Sequence, residues 1–219
     1  MWPVKIDSLV PHAYPVLLDV RNRAIVVVGG GAVAARKARG LLEAGATRVR
    51  CVALEFCDEL PSAVERVSAR YGPDYLDGAA LVFAATDRPE VNEAVVRDAH
   101  ARNLLVNRAD ADEDEPGDFA TPARLRQGEV VVTVSAGSPA LSAAIRDRLA
   151  ERFEPRWREM AGAMRELRSM VKASEQSIEE RRQILRELAG QEAFAALEQG
   201  GVEGLRRWLL ERHPELNHA

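Results

Sequence analysis

Only two cysteines, Cys51 and Cys57, occur among the 219 residues, and they do not form a C-x-x-C pair. A disulfide framework or a cysteine-built zinc site is therefore excluded as the organising device. The four histidines, His12, His100, His213 and His218, are scattered without metal-ligand spacing, and no metal site is expected. No long basic run is present: 30 basic residues stand against 34 acidic ones, a net charge of -4. Nucleic acid is thus not the expected partner. No apolar stretch approaches the roughly 20 residues needed to span a bilayer, and the N-terminus lacks a charged segment followed by an apolar core and cleavage site. The expectation is a soluble, cytoplasmic protein with no membrane partner.

What is present begins at Ala24-Ile25-Val26-Val27-Val28, an apolar run suited to a strand buried on both faces of a parallel sheet. It breaks into Gly29-Gly30-Gly31 and then into an alanine-rich stretch with helical character, Val33 to Glu43. Gly29, Gly31 and Ala34 fit G-x-G-x-x-A. In that pattern the first glycine makes the tight turn, the second lets backbone approach a pyrophosphate, and the third position packs helix on strand. Amides at the helix start would then receive phosphate oxygens, which makes Gly29, Gly30, Gly31, Ala32 and Val33 candidate cofactor residues. A glycine turn that joins strand to helix with no ligand is the alternative.

Gly45 supplies a helix stop, and Val49 to Leu54 reads as a second strand. Glu55, just past it, stands where an acidic side chain accepts hydrogen bonds from a ribose and disfavours a 2′-phosphate. Leu54 and Glu55 therefore join the candidates and point to NAD over NADP, unless Glu55 is a solvated loop residue. Cys51 falls inside this strand and reads as a buried apolar thiol.

Ala79 to Ala85 makes a further strand ended by Thr86-Asp87. Asp87, Pro89 and Glu90 then have the spacing of a capped helix start, with the helix continuing over Asn92 to Ala101. Leu104 to Asn107 is the next strand. Strands near 24, 49, 80 and 104 alternate with helices, as a doubly wound α/β sheet requires, and ligands bind at the carboxyl ends of such strands. That rule gathers Gly29–Val33, Leu54-Glu55, Thr86-Asp87 and the stretch from Asn107 to Asp110 onto one rim.

After Asp110 the alternation stops. Ala111 to Gly117 is an acidic loop. Phe119 to Pro122 and Glu129 to Val134 read as two extended segments of an antiparallel hairpin joined by Ala123 to Gly128. Ser138-Pro139 then provides a cap and first-turn proline for a helix through Leu149. From Glu154 on, Trp157, Met160, Met164, Leu167 and Met170-Val171 recur every three or four residues, marking an amphipathic helix. Gly190 and Gly200-Gly201 punctuate a tail of about three helices.

Taken in order, Tyr14-Pro15-Val16-Leu17-Leu18-Asp19, the glycine turn, Ala84-Ala85-Thr86-Asp87, Asn107-x-x-Asp110, Phe119-x-x-Pro122 and Val134-Ser135-x-Gly137-Ser138-Pro139 resemble the precorrin-2 dehydrogenase family, whose module also forms the N-terminal half of siroheme synthase. The resemblance runs from about Tyr14 to Phe153. It implies a homodimer with three parts: a Rossmann-like NAD-binding domain over 1–117, a small α+β dimerisation region over 118–152 and a helical C-terminal domain over 153–219. It also implies NAD-dependent oxidation of precorrin-2 to sirohydrochlorin in siroheme biosynthesis. Some members add a lyase activity, inserting ferrous iron as a second substrate.

Removing hydride from a reduced tetrapyrrole also requires a base for the proton. Asp110 matches the aspartate regarded as catalytic in the family; its alternative is a turn residue in an acidic loop. Asn107 of the same motif is placed with the cofactor. The many carboxylates of the substrate call for cations or helix-start amides, and Arg108, Arg124, Arg126, Ser135, Gly137 and Ser138 are the candidates. Two departures stand out. The serine turn is two residues shorter than the family's S-[ST]-G-G-x-S-P, and Ala136 replaces a hydroxyl that is phosphorylated in some members. With no methyltransferase motif in the sequence, a separate enzyme is expected to supply precorrin-2. A non-enzymatic NAD-binding sensor is the competing class; it explains the glycines but not Asp110.

Overall fold

The structure, a computed structural model, describes residues 13–109 and 117–218. It divides into two units, residues 1–121 and 122–219.

In the first unit, β1 (Ala24–Val28), β2 (Arg48–Ala53), β3 (Glu65–Ser68), β4 (Leu81–Ala84) and β5 (Leu105–Arg108) form one sheet in the order β3-β2-β1-β4-β5, every pair parallel. The continuous apolar strands predicted from sequence are buried on both faces. Ile25, Val27, Cys51, Leu81 and Phe83 pack with α1 (Ala32–Glu43). The alternate residues Val26, Val28, Val52, Val82 and Val106 pack with α2 (Pro89–His100) and the 3-10 turn Pro73–Leu76. This is the doubly wound α/β arrangement expected, with the reversal of strand order at β1 and β4. Burial pushes the Cys51 thiol up to about 12, in keeping with an inert apolar role.

Three local expectations change. The first concerns β3, which the alternation of strands and helices omits. It has no helix before it, it pairs only with β2, and only Val67 among Glu65-Arg66-Val67-Ser68 is partly buried. An edge strand with a charged sequence carries little of the apolar signal by which strands are read. Its register is marked instead by charge, since Arg50 and Glu65 are cross-strand partners joined by a 3.0 Å ion pair.

The second change is at the start of α2. Asp87 does not cap that helix: Arg88 is the N-cap residue, without a side-chain cap, and Glu90 pairs with Arg88 instead. The third is the hairpin of the second unit. Its strands are β6 (Ala123–Gln127) and β7 (Val130–Val134), so Ala123–Gln127 is itself a strand and the turn is Gly128-Glu129. The reading from Phe119 placed the first strand too early because Arg124 and Arg126 interrupt its apolar pattern.

A return segment finishes the first unit. Gly117 bridges Asn107, and Asp118 exchanges hydrogen bonds with Val106: its amide donates to the Val106 carbonyl, and its Oδ2 accepts from the Val106 amide at 2.8 Å. Phe119 meets Phe83 edge-on with centroids 5.4 Å apart, and the Lys37 ammonium donates to the Thr121 hydroxyl. Burial, chiefly, draws Lys37 down to about 8.

In the second unit α3 (Pro139–Glu151) packs on both hairpin strands, and Ser138 caps it as expected by accepting from the Leu141 amide. The helices α4 (Pro155–Ala173), α5 (Ile178–Glu187) and α6 (Gln191–Arg212) surround a core of Met160, Leu167, Val171, Ile184, Leu197, Leu205 and Leu209. All members of that core come from residues 160–216, so the hairpin and α3 stand outside it. Gly201 breaks α6 with φ 61° and ψ -158°. Beyond it, a Cβ on Gly204 would lie 2.8 Å from the Ala196 carbonyl oxygen.

Candidate functional site

The carboxyl ends of β1, β2, β3 and β4 open into a cavity of about 1010 Å³, at the upper end of the roughly 300–1,000 Å³ seen for small-molecule sites. Gly29, Gly30, Gly31, Ala32, Val33, Leu54, Glu55, Thr86 and Asp87 all line it. Nine of the ten residues that sequence reasoning assigned to the cofactor are thus brought to one cavity from three separate turns.

The glycines divide the work unequally. Gly29 has φ +140°, its amide donates to Val52 O at 2.9 Å, and a Cβ there would lie 2.2 Å from Ala85 O. Gly30 occupies a variable position of the motif, yet a Cβ on it would fall 1.9 Å from Glu55 O; its carbonyl accepts from the Cys57 amide at 2.8 Å. Both glycines therefore let the turn pack into the loops after β2 and β4. Gly31 differs: it is the N-cap of α1 at φ -85°, it receives no side-chain cap, and nothing lies within 4 Å of a built Cβ. The first-turn amides of a helix have no acceptor within the helix. Here they border the cavity without an acidic side chain in that turn. Ala34, fully buried, packs α1 onto the sheet. An open anion cradle at a helix start fits the diphosphate of a dinucleotide.

Glu55 is exposed at the cavity wall beyond β2. Arg70, Tyr71, Arg88, Val91 and Ala94 also line it and were not singled out from sequence; Cys57 and Glu90, read there only as a thiol and as part of a helix start, and Ala109, inside the Asn107 to Asp110 stretch, line it as well. Arg70 and Tyr71 were hidden because they follow β3, the unread strand. The Tyr71 hydroxyl donates to Asp98 at 3.1 Å; burial, and then the Asp98 charge, raise its pKa. Glu90 is held below the usual carboxylate range by its own backbone amide and then by Arg88, 2.7 Å away. The cavity wall after β4 therefore carries the Arg88–Glu90 ion pair beside the exposed Asp87.

Asn107 is not among the lining residues. It is buried, its Nδ2 donates to Phe119 O at 2.7 Å, and its Oδ1 has no hydrogen-bond partner among the described residues. Its cofactor contact stays an expectation from the motif. Asp110 lies outside the described residues; Ala109, which precedes it, lines the cavity and donates its amide to Ala84 O at 2.9 Å. Arg108 ends β5, its side chain only 9% exposed and 3.8 Å from Glu93. Arg124, Arg126, Ser135, Gly137 and Ser138 belong to the second unit. There Ser142 Oγ ties the serine turn together, accepting from the Ala136 amide at 3.0 Å and donating to Ser138 O at 2.8 Å.

Comparison with known proteins gives a concordant picture. A family model described as putative NAD(P)-binding matches residues 16–123. Siroheme synthase of Chromobacterium violaceum is 38% identical over 178 residues, 78% of this chain and 37% of that protein. Siroheme synthase of Methylobacillus flagellatus is 32% identical over 216 residues, 94% of this chain and 45% of that protein. The chain therefore spans less than half the length of these curated relatives. Among solved structures, SirC, a precorrin-2 dehydrogenase, superposes with TM-score 0.74 at 21% identity, covering 91% of this chain and all of that one. It shares the fold.

Proposed function

We propose that this chain, which belongs to the family of precorrin-2 dehydrogenases and siroheme synthase modules, oxidises precorrin-2 to sirohydrochlorin. The single observation that carries the reading is the open helix start at Gly31 facing a cavity of about 1010 Å³ at the strand ends, in a chain with siroheme synthase relatives. Two hydrogens leave the reduced tetrapyrrole, one as hydride and one as a proton. A bound nicotinamide ring supplies the hydride acceptor. The chain's own residues bind and orient: amides at Gly31, Ala32 and Val33 receive the diphosphate, and Glu55 meets a ribose hydroxyl, favouring NAD over NADP. Asp110 takes the proton. Arg108, Arg124, Arg126 and the Ser135, Gly137 and Ser138 turn receive the substrate's carboxylates.

The test is to mix the protein with precorrin-2 and NAD and follow both absorption bands. One NADH should appear per sirohydrochlorin formed. NAD binding without product would favour the non-catalytic sensor. The family resemblance also extends to ferrous iron as a second substrate, so sirohydrochlorin with iron and no dinucleotide is the companion assay for a metal-inserting activity.

A homodimer is part of the same proposal. Leu141, Ile145 and Leu149 recur at i, i+4 and i+8 on α3 and are 51%, 37% and 42% exposed. Such a stripe on one helix face is a surface for partner contact. Leu149 also lines an apolar hollow of about 280 Å³ with Leu125, Val132, Phe153 and Trp157. Sedimentation should give twice the 24.1 kDa chain mass, and the double substitution Ile145→Glu and Leu149→Glu should return it to a monomer; a monomeric wild type would remove the dimer from the reading.

A further inference from the structure

Asn92 lies in the first turn of α2, among Val91, Val95 and Ala99, and is fully buried. A polar amide is a poor choice at such a position, where an aliphatic side chain packs without needing partners. Its partners show what it is for. Asn92 Oδ1 accepts from the Thr86 amide at 3.1 Å and from the Thr86 hydroxyl at 2.8 Å, while its Nδ2 donates to the Thr86 carbonyl at 3.0 Å. One side chain thus pairs both backbone groups of Thr86, as a neighbouring strand would. The Thr86 hydroxyl in turn accepts the Arg88 amide at 3.2 Å. The Thr86 backbone and the Arg88 amide are thereby tied to this pair, and Thr86, Asp87, Arg88, Glu90 and Val91 line the dinucleotide cavity, whereas Asn92 does not.

We infer that Asn92 is a positioning residue for the dinucleotide, holding the Thr86–Arg88 wall of the cavity in its binding shape before the ligand arrives. This rests on the cofactor reading above. Preorganisation of this kind raises affinity by removing an ordering cost from the binding step. Loss of Asn92 leaves Thr86 short of hydrogen bonds, a cost that is smaller where water reaches the freed groups than where they are fully buried, and Thr86 is only partly buried.

The experiment is calorimetric titration with NAD of the wild type, Asn92→Leu and Asn92→Ala, alongside thermal melts. Asn92→Leu should keep the wild-type melting temperature within a few degrees yet bind NAD about tenfold more weakly, the equivalent of one to two net hydrogen bonds. In turnover, KM for NAD should rise while kcat at saturating NAD holds. Unchanged NAD affinity in folded Asn92→Leu overturns the inference alone. If Asn92→Leu does not fold, Asn92→Ala decides, with the same weakening expected and an unchanged affinity overturning the inference. A wild type that binds no NAD overturns the cofactor reading and this inference with it.

Discussion

Gly31→Asp should leave a fully folded protein that no longer binds NAD, with the dissociation constant raised about a hundredfold or more, close to 3 kcal/mol. The backbone at Gly31 has φ -85°, which any residue adopts, and a Cβ there enters open space. Aspartate is moreover a preferred N-cap, accepting the first-turn amides and complementing the helix dipole, each worth about 0.5–1 kcal/mol. The variant should therefore melt no lower than the wild type. The same carboxylate occupies the anion cradle and repels a diphosphate. Gly30→Ala, one residue earlier, should behave in the opposite way. Its Cβ would sit 1.9 Å from Glu55 O, a clash with backbone that no rotamer relieves, and the loss of stability should be about 3 kcal/mol or more. Urea unfolding and NAD titration on the two variants separate the effects. A Gly31→Asp protein that binds NAD normally would move the diphosphate elsewhere.

The second large effect is expected at Asp110. Asp110→Ala should lower kcat for precorrin-2 oxidation by about 10²–10⁴-fold, the usual worth of a positioned general base. NAD affinity and melting temperature should be unchanged, because the cradle proposed for the dinucleotide is built from Gly31 to Val33, far away in sequence. Asp110→Asn should be equally inactive, since an amide keeps the shape but cannot take a proton. Activity of either variant within a few-fold of wild type would remove Asp110 from the chemistry and leave its loop with a role other than proton transfer.

Much of the cavity at the strand ends was legible in the sequence because its signals are local. A β-branched run, three glycines and an alanine-rich helix state their geometry within a dozen residues, and the strand-end rule then collects Leu54, Glu55, Thr86 and Asp87 from distant turns. What escaped depends on pairing partners that lie far apart in the chain. β3 is a strand because Arg50 and Val52 lie beside it, not because Glu65-Arg66-Val67-Ser68 is apolar, and with it went Arg70 and Tyr71. Gly30 reads as a filler in the motif, and only the approach of the Glu55 carbonyl explains it. Asn92 reads as an ordinary helix residue until its three bonds to Thr86 are seen. On α2, Asp87 satisfied the capping pattern, but Pro89 has no amide to offer it and the Glu90 amide is taken by Glu90's own carboxylate, so the helix begins one residue later.

The left-handed torsion at Gly201 has a consequence for the reach of the tail. A continuous helix of 22 residues would be a rod of roughly 33 Å, too long for both ends to touch one small core. With the chain reversed at one glycine, Ala193 and Leu197 from the first half and Leu205 and Leu209 from the second meet in the same cluster. The final turn comes back to α5 as well, where His213 lies 2.9 Å from Glu187 and Arg212 lies 3.2 Å from it. One residue's backbone thus decides whether the last third of the chain is a protruding lever or a closed knot of helices.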